Sequence, residues 1–245
     1  MYNITPHHLL FLSILTVLSI IFSAIINNIF LKFSKNLGTR NNDNVRWTNE
    51  TKPSVGGFAF YILFLCSIIF YTIFVDPKAI FQNIQFLGII SSISLGFIMG
   101  LADDAYNTNP SLKFGIQILC AVILFFTGTQ IQLFSNDILN FLLTSFWVVG
   151  IMNSINLLDN MDGITGSISI VITSFIIANA VFINNSLSIY LIIIVTILGA
   201  LIGFMFYNWK PAKLYMGDTG SQFLGIFLAS FAILFIWNQS DNIGN

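Results

Sequence analysis

An all-α, polytopic membrane fold is predicted by three features of the sequence. Of 245 residues, 56% are hydrophobic and 8% charged, where a soluble domain carries about a quarter charged. Several apolar runs are long enough to cross roughly 30 Å of hydrocarbon as helices. The runs are continuous rather than alternating, so helices, not a barrel, satisfy the backbone in lipid. No soluble domain, linker or internal repeat interrupts them, and residues 1–245 read as one membrane-embedded domain with about eight transmembrane helices.

The first helix is expected over residues 8–31. It has no basic segment before it and is too long for a cleaved signal peptide, so it reads as a retained span. The second, 56–75, opens on the paired glycines of Lys52-Pro53-Ser54-Val55-Gly56-Gly57; such glycines let a ligand or another backbone approach closely. The third, 84–101, ends in Gly100-Leu101-Ala102-Asp103-Asp104. The fourth, 113–131, starts at Lys113 with Gln117 one turn on. The fifth, 138–157, carries Asn153 and Asn156, whose spacing of three places both on one helical face. The sixth and seventh are expected over 165–183 and 187–207. The eighth, 220–237, follows Asp218, Thr219 and Ser221, all good N-cap residues. Cys66 and Cys120 fall inside apolar runs and read as buried small hydrophobes, not as a disulfide or metal pair.

Lysine and arginine orient the bundle. Lys32, Lys35, Arg40, Arg46, Lys52, Lys113, Lys210 and Lys213 fall in alternate loops, and Lys78 alone falls on the other side. The basic loops are therefore expected in the cytoplasm and both termini outside. Those same loops hold nearly all the unusual polar residues.

Adjacent carboxylates at Asp103 and Asp104 repel each other and sit badly at a negative helix C-terminus. A cation or a basic partner would resolve both problems, and Lys113 is the nearest candidate in sequence. The stretch Asn153–Gly163 packs Asn153, Asn156, Asp159, Asn160 and Asp162 between apolar runs. Polar groups so close to hydrocarbon are costly enough to mark a functional site. Gly163 and Asn160 are expected to supply the positive φ of a tight reversal. Before the eighth helix, free N–H groups could take a phosphate. Asp218 would then hold a divalent cation, because Mg²⁺ favours one or two carboxylates plus phosphate oxygens. Lys210 and Lys213 add positive charge, and Arg40, Arg46 and Lys52 could meet an anionic ligand or lipid headgroups. The basic loops hold no histidine, Ser-His-Asp arrangement or Walker loop. Spacing alone thus reaches phosphoryl chemistry at a membrane face, with the substrate open.

At these residues the sequence resembles the polyprenyl-phosphate N-acetylhexosamine-1-phosphate transferases of glycosyltransferase family 4. That family includes the bacterial undecaprenyl-phosphate GlcNAc-1-phosphate transferases and the phospho-MurNAc-pentapeptide translocases. Its Asp-Asp pair is matched by Asp103 and Asp104. Its N-x-x-N-x-x-D-G-x-D-G motif is matched by Asn153, Asn156, Asp159, Asp162 and Gly163, with Asn160 in place of a glycine. Its F-N-x-x-P-A-K…M-G-D-x-G-S segment is matched by Asn208, Pro211, Ala212, Lys213, Met216, Gly217, Asp218, Gly220 and Ser221, with Tyr207 for the Phe. Pro53, Gly56 and Gly57 resemble its P-x-x-G-G. Family members usually have ten spans and a histidine-rich loop before the last, so this chain reads as C-terminally short.

The resemblance implies transfer of a sugar 1-phosphate, an N-acetylhexosamine in the first instance, from a UDP-sugar to polyprenyl (undecaprenyl) phosphate. UMP leaves, and the product enters cell-envelope glycan assembly. It implies Mg²⁺ as cofactor, with Mn²⁺ as a substitute, held by Asp218 and Asn156. Lys113, Asn208, Lys213 and Lys52 would hold phosphates, and Asn153, Asp159 and Asp162 the nucleotide or its loop. Asp103 and Asp104 fall to the acceptor phosphate as catalytic residues, whether as base, nucleophile or anchor. The implied setting is the bacterial inner membrane with the site facing the cytoplasm. No nucleic acid is expected, and a homodimer is left open. Rival readings are an inactive remnant of the family, a transporter, and a prenyl- or CDP-alcohol-transferase. A transporter predicts charges near mid-span, whereas here they stand at helix ends.

Overall fold

A computed structural model describes residues 6–36, 53–75, 83–184 and 188–238. Among them are eight helices: α1 Pro6–Asn36, α2 Gly57–Phe74, α3 Ile84–Tyr106, α4 Pro110–Phe126, α5 Asp137–Leu158, α6 Ile164–Asn184, α7 Ile189–Asn208 and α8 Gly217–Phe235. Seven are long and apolar enough to cross a membrane; α4 is the shorter one. The chain is a multi-pass, all-α membrane protein.

Helix α1 runs on to Asn36, five residues past its expected end, and α3 and α4 also differ from the sequence expectation. Helix α3 does not stop at 101 but runs on through Asp103 and Asp104 to Tyr106, ending on Asn107 at φ 52°. Both carboxylates therefore stand on a helix. Helix α4 starts earlier, with Pro110 at its first position, where a missing N–H costs nothing. It stops at Phe126, ahead of Gly128 at φ 91°. The residues beyond it run as irregular backbone pinned by α5. Asn140 Oδ1 accepts from the N–H groups of Leu133 and Phe134 at 3.2 and 2.9 Å, and Thr144 Oγ1 from that of Ile131 at 3.0 Å. The span expected over 113–131 takes in Thr127-Gly128-Thr129-Gln130, a polar stretch whose glycine ends the helix early.

Helix α8 is the hub. Of its residues only Asp218 and Leu234 escape full burial, the state expected of a helix that is apolar all round. It packs chiefly on α3 and α5, with α2 and α6 also against it. Phe60 and Phe64 of α2 meet Phe223, which begins a run through Phe227 and Phe231 to Phe235. Helix α1 lies along α7, where Ser19 and Ser23 fit against Gly199 and Gly203 and Ser23 Oγ donates to the Ala200 carbonyl at 2.7 Å. Small residues allow such close approach where lipid offers no hydrophobic drive. Leu10, Val17, Ile21, Phe22 and Phe33 are left exposed on α1, as lipid-facing positions should be. Both cysteines are free, and Cys120 is buried as expected; Cys66 is exposed, a correction that fits its place on an outer helix.

Candidate active site

Among the described residues, 53–57 and the three other basic-side connections meet at one end of the bundle. Pro53–Gly57 lies beside Leu214–Met216 as a short extended pair. The Tyr215 N–H donates to the Pro53 carbonyl at 2.9 Å, the Gly56 N–H to that of Tyr215 at 3.0 Å and the Gly57 N–H to that of Met216 at 3.1 Å. The paired glycines are needed here for contact. A Cβ on Gly57 would lie 2.3 Å from the Gly220 nitrogen, and one on Gly56 2.3 Å from the Phe204 ring. Two motifs far apart in sequence thus form one bracket around the start of α8.

Inside that bracket, Lys113 at the start of α4 gathers oxygen atoms from three helices. Its Nζ donates to Asp103 Oδ2 of α3 at 2.9 Å and to Asn156 Oδ1 of α5 at 3.4 Å, and lies 3.4 Å from Asp218 Oδ1 of α8. Asp103 is further held by Thr108, whose N–H and hydroxyl donate to Oδ1 at 2.9 and 2.6 Å. Asn156 Nδ2 donates to Asp218 Oδ1 and, at 2.8 Å, to Ser221 Oγ. The Lys113 and Asp103 side chains are 15% and 10% exposed and that of Asp218 33%; Asp218 is thus the most open of the three. Among the described residues no three acidic, histidine or cysteine side chains converge on one point. The convergence is of two carboxylates and an amide oxygen on an ammonium group.

Asp104 turns the other way. It accepts from the N–H of Asp218 at 3.0 Å and from the N–H and hydroxyl of Thr219 at 2.8 and 2.6 Å. The expectation of free N–H groups at the start of α8 is therefore corrected at these two positions. Nor do Asp218, Thr219 and Ser221 stand before the helix as caps; the N-cap position is Met216, with no capping side chain.

A second ring of residues braces the first. Asn153 exchanges hydrogen bonds with Gln117, Nδ2 to Oε1 at 2.8 Å and Nε2 to Oδ1 at 3.2 Å, and Gln117 Nε2 also donates to Gln222 Oε1 at 3.1 Å. Asn208 is 2% exposed. Its Oδ1 accepts from the Gly163 N–H at 3.1 Å and its Nδ2 donates to the Leu214 carbonyl at 3.0 Å. The phosphate contact expected of Asn208 is corrected accordingly: its amide ties the α5–α6 turn to the α7–α8 loop. Asp162 Oδ2 accepts from the Ala212 N–H at 2.9 Å, joining the same two loops. Asp162 and Gly163 also line a cavity of about 530 Å³ with Ile164, Ser167, Ile168, Trp209 and Lys210. Asp159, just past α5, is pushed well above the usual carboxylate range by burial; the Gly217 N–H opposes this, while Asp218 and Asp104 add to it. Gly163 takes the expected positive φ, 74°, but Asn160 does not share it. The glycine-to-Asn departure therefore requires no left-handed conformation.

Lys213 is exposed on the α7–α8 loop, as is Lys210. Lys52, Arg40 and Arg46 lie outside the described residues. Sequence reasoning missed Thr108 and Gln222. The first stands in a three-residue connection and carries no signal of its own. The second had one, a glutamine within an apolar helix.

A family model described as glycosyl transferase family 4 matches residues 86–236. The chain is 30% identical over 200 residues to the probable undecaprenyl-phosphate N-acetylglucosaminyl 1-phosphate transferase of Bacillus subtilis (strain 168), covering 78% of this chain and 53% of that one. It is 33% identical over 200 residues to the phospho-N-acetylmuramoyl-pentapeptide-transferase of Streptococcus suis (strain 05ZYH33), covering 74% and 58%. To the enzyme of that name from Streptococcus agalactiae serotype Ia it is 34% identical over 199 residues, covering 74% and 59%. The chain thus spans somewhat over half the length of these curated relatives.

Proposed function

This chain belongs to glycosyl transferase family 4, and we propose that it transfers a sugar 1-phosphate from a UDP-sugar to a polyprenyl phosphate at the cytoplasmic face of a bacterial inner membrane. The names of its relatives support an undecaprenyl phosphate acceptor and transfer of an amino-sugar 1-phosphate. A plain UDP-N-acetylhexosamine is the favoured donor, since the first loop lacks the histidine of the pentapeptide-linked translocases. An acceptor phosphate oxygen forms a bond to the sugar-bearing phosphorus as that phosphorus parts from the bridging oxygen, and UMP leaves with the electron pair.

The observation that carries this reading is the convergence of Asp103, Asp218 and Asn156 on Lys113. The ammonium group is a stand-in cation. Oxygen atoms arranged around it, two from carboxylates and one from an amide, are the donor set Mg²⁺ takes. Asp218 and Asn156 would hold such an ion, which when bound neutralises charge on the donor's diphosphate. Lys113 then offers its positive charge to phosphate oxygens. An acceptor phosphate monoester has its second pKa near 6, so at neutral pH it is mostly dianionic. A general base is then little needed, and Asp103 serves to hold Lys113 and the α3–α4 turn.

The test is release of UMP, with formation of lipid-linked product, from UDP-GlcNAc in membranes containing undecaprenyl phosphate. Asp218→Ala should abolish it. Transfer that continues without added divalent cation and in excess chelator would refute the metal assignment. Wild-type chain that binds both substrates and releases no UMP would refute the reaction.

A further inference from the structure

We infer that Asp104 is a positioning residue, whose carboxylate caps the first turn of α8 from a neighbouring helix and thereby sets the Asp218 side chain in the site. This deepens the reading under Proposed function and rests on it for the reaction, though not for the capping.

The N–H groups that open a helix have no partner within it, and the residue before the helix commonly supplies a side-chain acceptor. In α8 that residue is Met216, which cannot. The acceptor comes from α3 instead, more than a hundred residues earlier in the chain. Asp104 Oδ1 takes the Asp218 N–H, and Oδ2 takes both the N–H and the hydroxyl of Thr219. Bonds to an ionised acceptor are roughly twice as strong as neutral ones, and negative charge is favoured at a helix N-terminus.

The same helix fixes the other side of the Asp218 peptide unit. Gly100, one turn before Asp104, rests so closely on α8 that a Cβ there would lie 2.2 Å from the Asp218 carbonyl oxygen. Asp218 is therefore held by α3 at its N–H through Asp104 and at its carbonyl through Gly100. Its carboxylate alone is left to face Lys113 and Asn156. The Asp-Asp pair thus divides its work. Asp103 points at Lys113 and the site, while Asp104 points at the first turn of α8. A phosphate brought to these N–H groups would have to displace a carboxylate already bound to both.

The experiment uses the full chain in detergent with Asp104→Asn, Asp104→Ala and Asp103→Asn, read in two ways. Hydrogen exchange on the ligand-free protein follows the peptide over residues 214–224. Exchange there should quicken by about 3- to 30-fold in Asp104→Ala, the range expected for a lost cap. It should quicken less in Asp104→Asn, whose amide oxygen still accepts, and stay unchanged in Asp103→Asn. Steady-state transfer should fall about 100-fold in Asp104→Ala, the scale of a 1 Å misplacement, with KM for polyprenyl phosphate unchanged. Asp104→Asn should recover at least about tenfold of that loss. Equal inactivity of the Asn and Ala variants, with α8 exchange as in the parent, would overturn the inference and make the carboxylate itself a participant. So would a rise in acceptor KM at unchanged kcat. If Asp104→Ala does not fold, Thr219→Val removes the hydroxyl donor to Asp104 and should quicken exchange in the same peptide; unchanged exchange would count against the inference. Should the parent chain show no transfer, the exchange result still decides the capping, and the failure falls on the proposed reaction.

Discussion

A single methyl group added at Gly100 tests how tightly the site depends on α3. The Cβ of an alanine there would stand 2.2 Å from the Asp218 carbonyl oxygen and 2.6 Å from its carbon. Both atoms are backbone, so no side chain can swing aside. Comfortable contact between heavy atoms begins near 3.5 Å, so α3 and α8 must part by about 1 Å at this point. Such overpacking costs about 1–3 kcal/mol in stability. The displacement also moves the Asp218 carboxylate relative to Asn156 and Lys113, and a 1 Å misplacement lowers a rate about 100-fold. Gly57→Ala should behave alike, since its Cβ would stand 2.3 Å from the Gly220 nitrogen. Gly115→Ala and Gly150→Ala are the controls; a Cβ at either meets nothing within 4 Å, and alanine gains about 0.8–1 kcal/mol over glycine in a helix. UMP release per folded molecule, alongside thermal unfolding in detergent, separates the two effects. A Gly100→Ala protein that turns over at the parental rate would refute the claim that this backbone contact sets the geometry.

Three further variants have expected outcomes. Lys113→Met should tighten Mn²⁺ binding in the absence of substrate by about 10- to 100-fold, because a charged hydrogen bond worth about 1.5–3 kcal/mol no longer competes for the same oxygens; paramagnetic resonance reads free Mn²⁺, and unchanged affinity would mean that ion and ammonium occupy different places. Transfer should fall in the same variant. Asp103→Asn should keep a measurable remnant of activity, as its amide oxygen can still accept from Lys113; complete loss with both substrates bound would argue for a base or a covalent intermediate. Asn208→Ala should cost about 1–3 kcal/mol in stability, seen as a lower unfolding temperature with substrate KM values intact, because it strands the Gly163 N–H and the Leu214 carbonyl.

The apolar runs made the helices legible, since nothing else is compatible with lipid on one side and an unpaired backbone on the other. The polar clusters made the location of the site legible, because Asn156, Asp159 and Asp218 have no business beside hydrocarbon without a reason. What each cluster residue touches was not legible. Asp103 and Asp104 are chemically identical neighbours, and only the continuation of α3 through both turns one toward Lys113 and the other toward α8. Asn208 looked like a ligand because it is polar beside a phosphate-like motif, whereas its two partners are backbone groups of loops far apart in sequence. The early end of α4 was legible in part. Thr127, Gly128, Thr129 and Gln130 already mark a break in the sequence, but the bond that holds the Ile131 N–H to Thr144 of α5 joins residues 13 positions apart.

The burial of α8 has a consequence for how the protein is made. A ribosome delivers α1 to α7 to the membrane before α8 exists, so those helices must wait around a slot that only the eighth can fill. Gly57, Asp104 and Asn156 each make contacts with α8, and those contacts cannot form earlier. A nascent chain halted after Asn208 would hold most of the motif residues with no site among them. Arrival of α8 is therefore the step at which the residues of the candidate site come together, and protection of early helices from protease should rise sharply as residues 217–235 emerge.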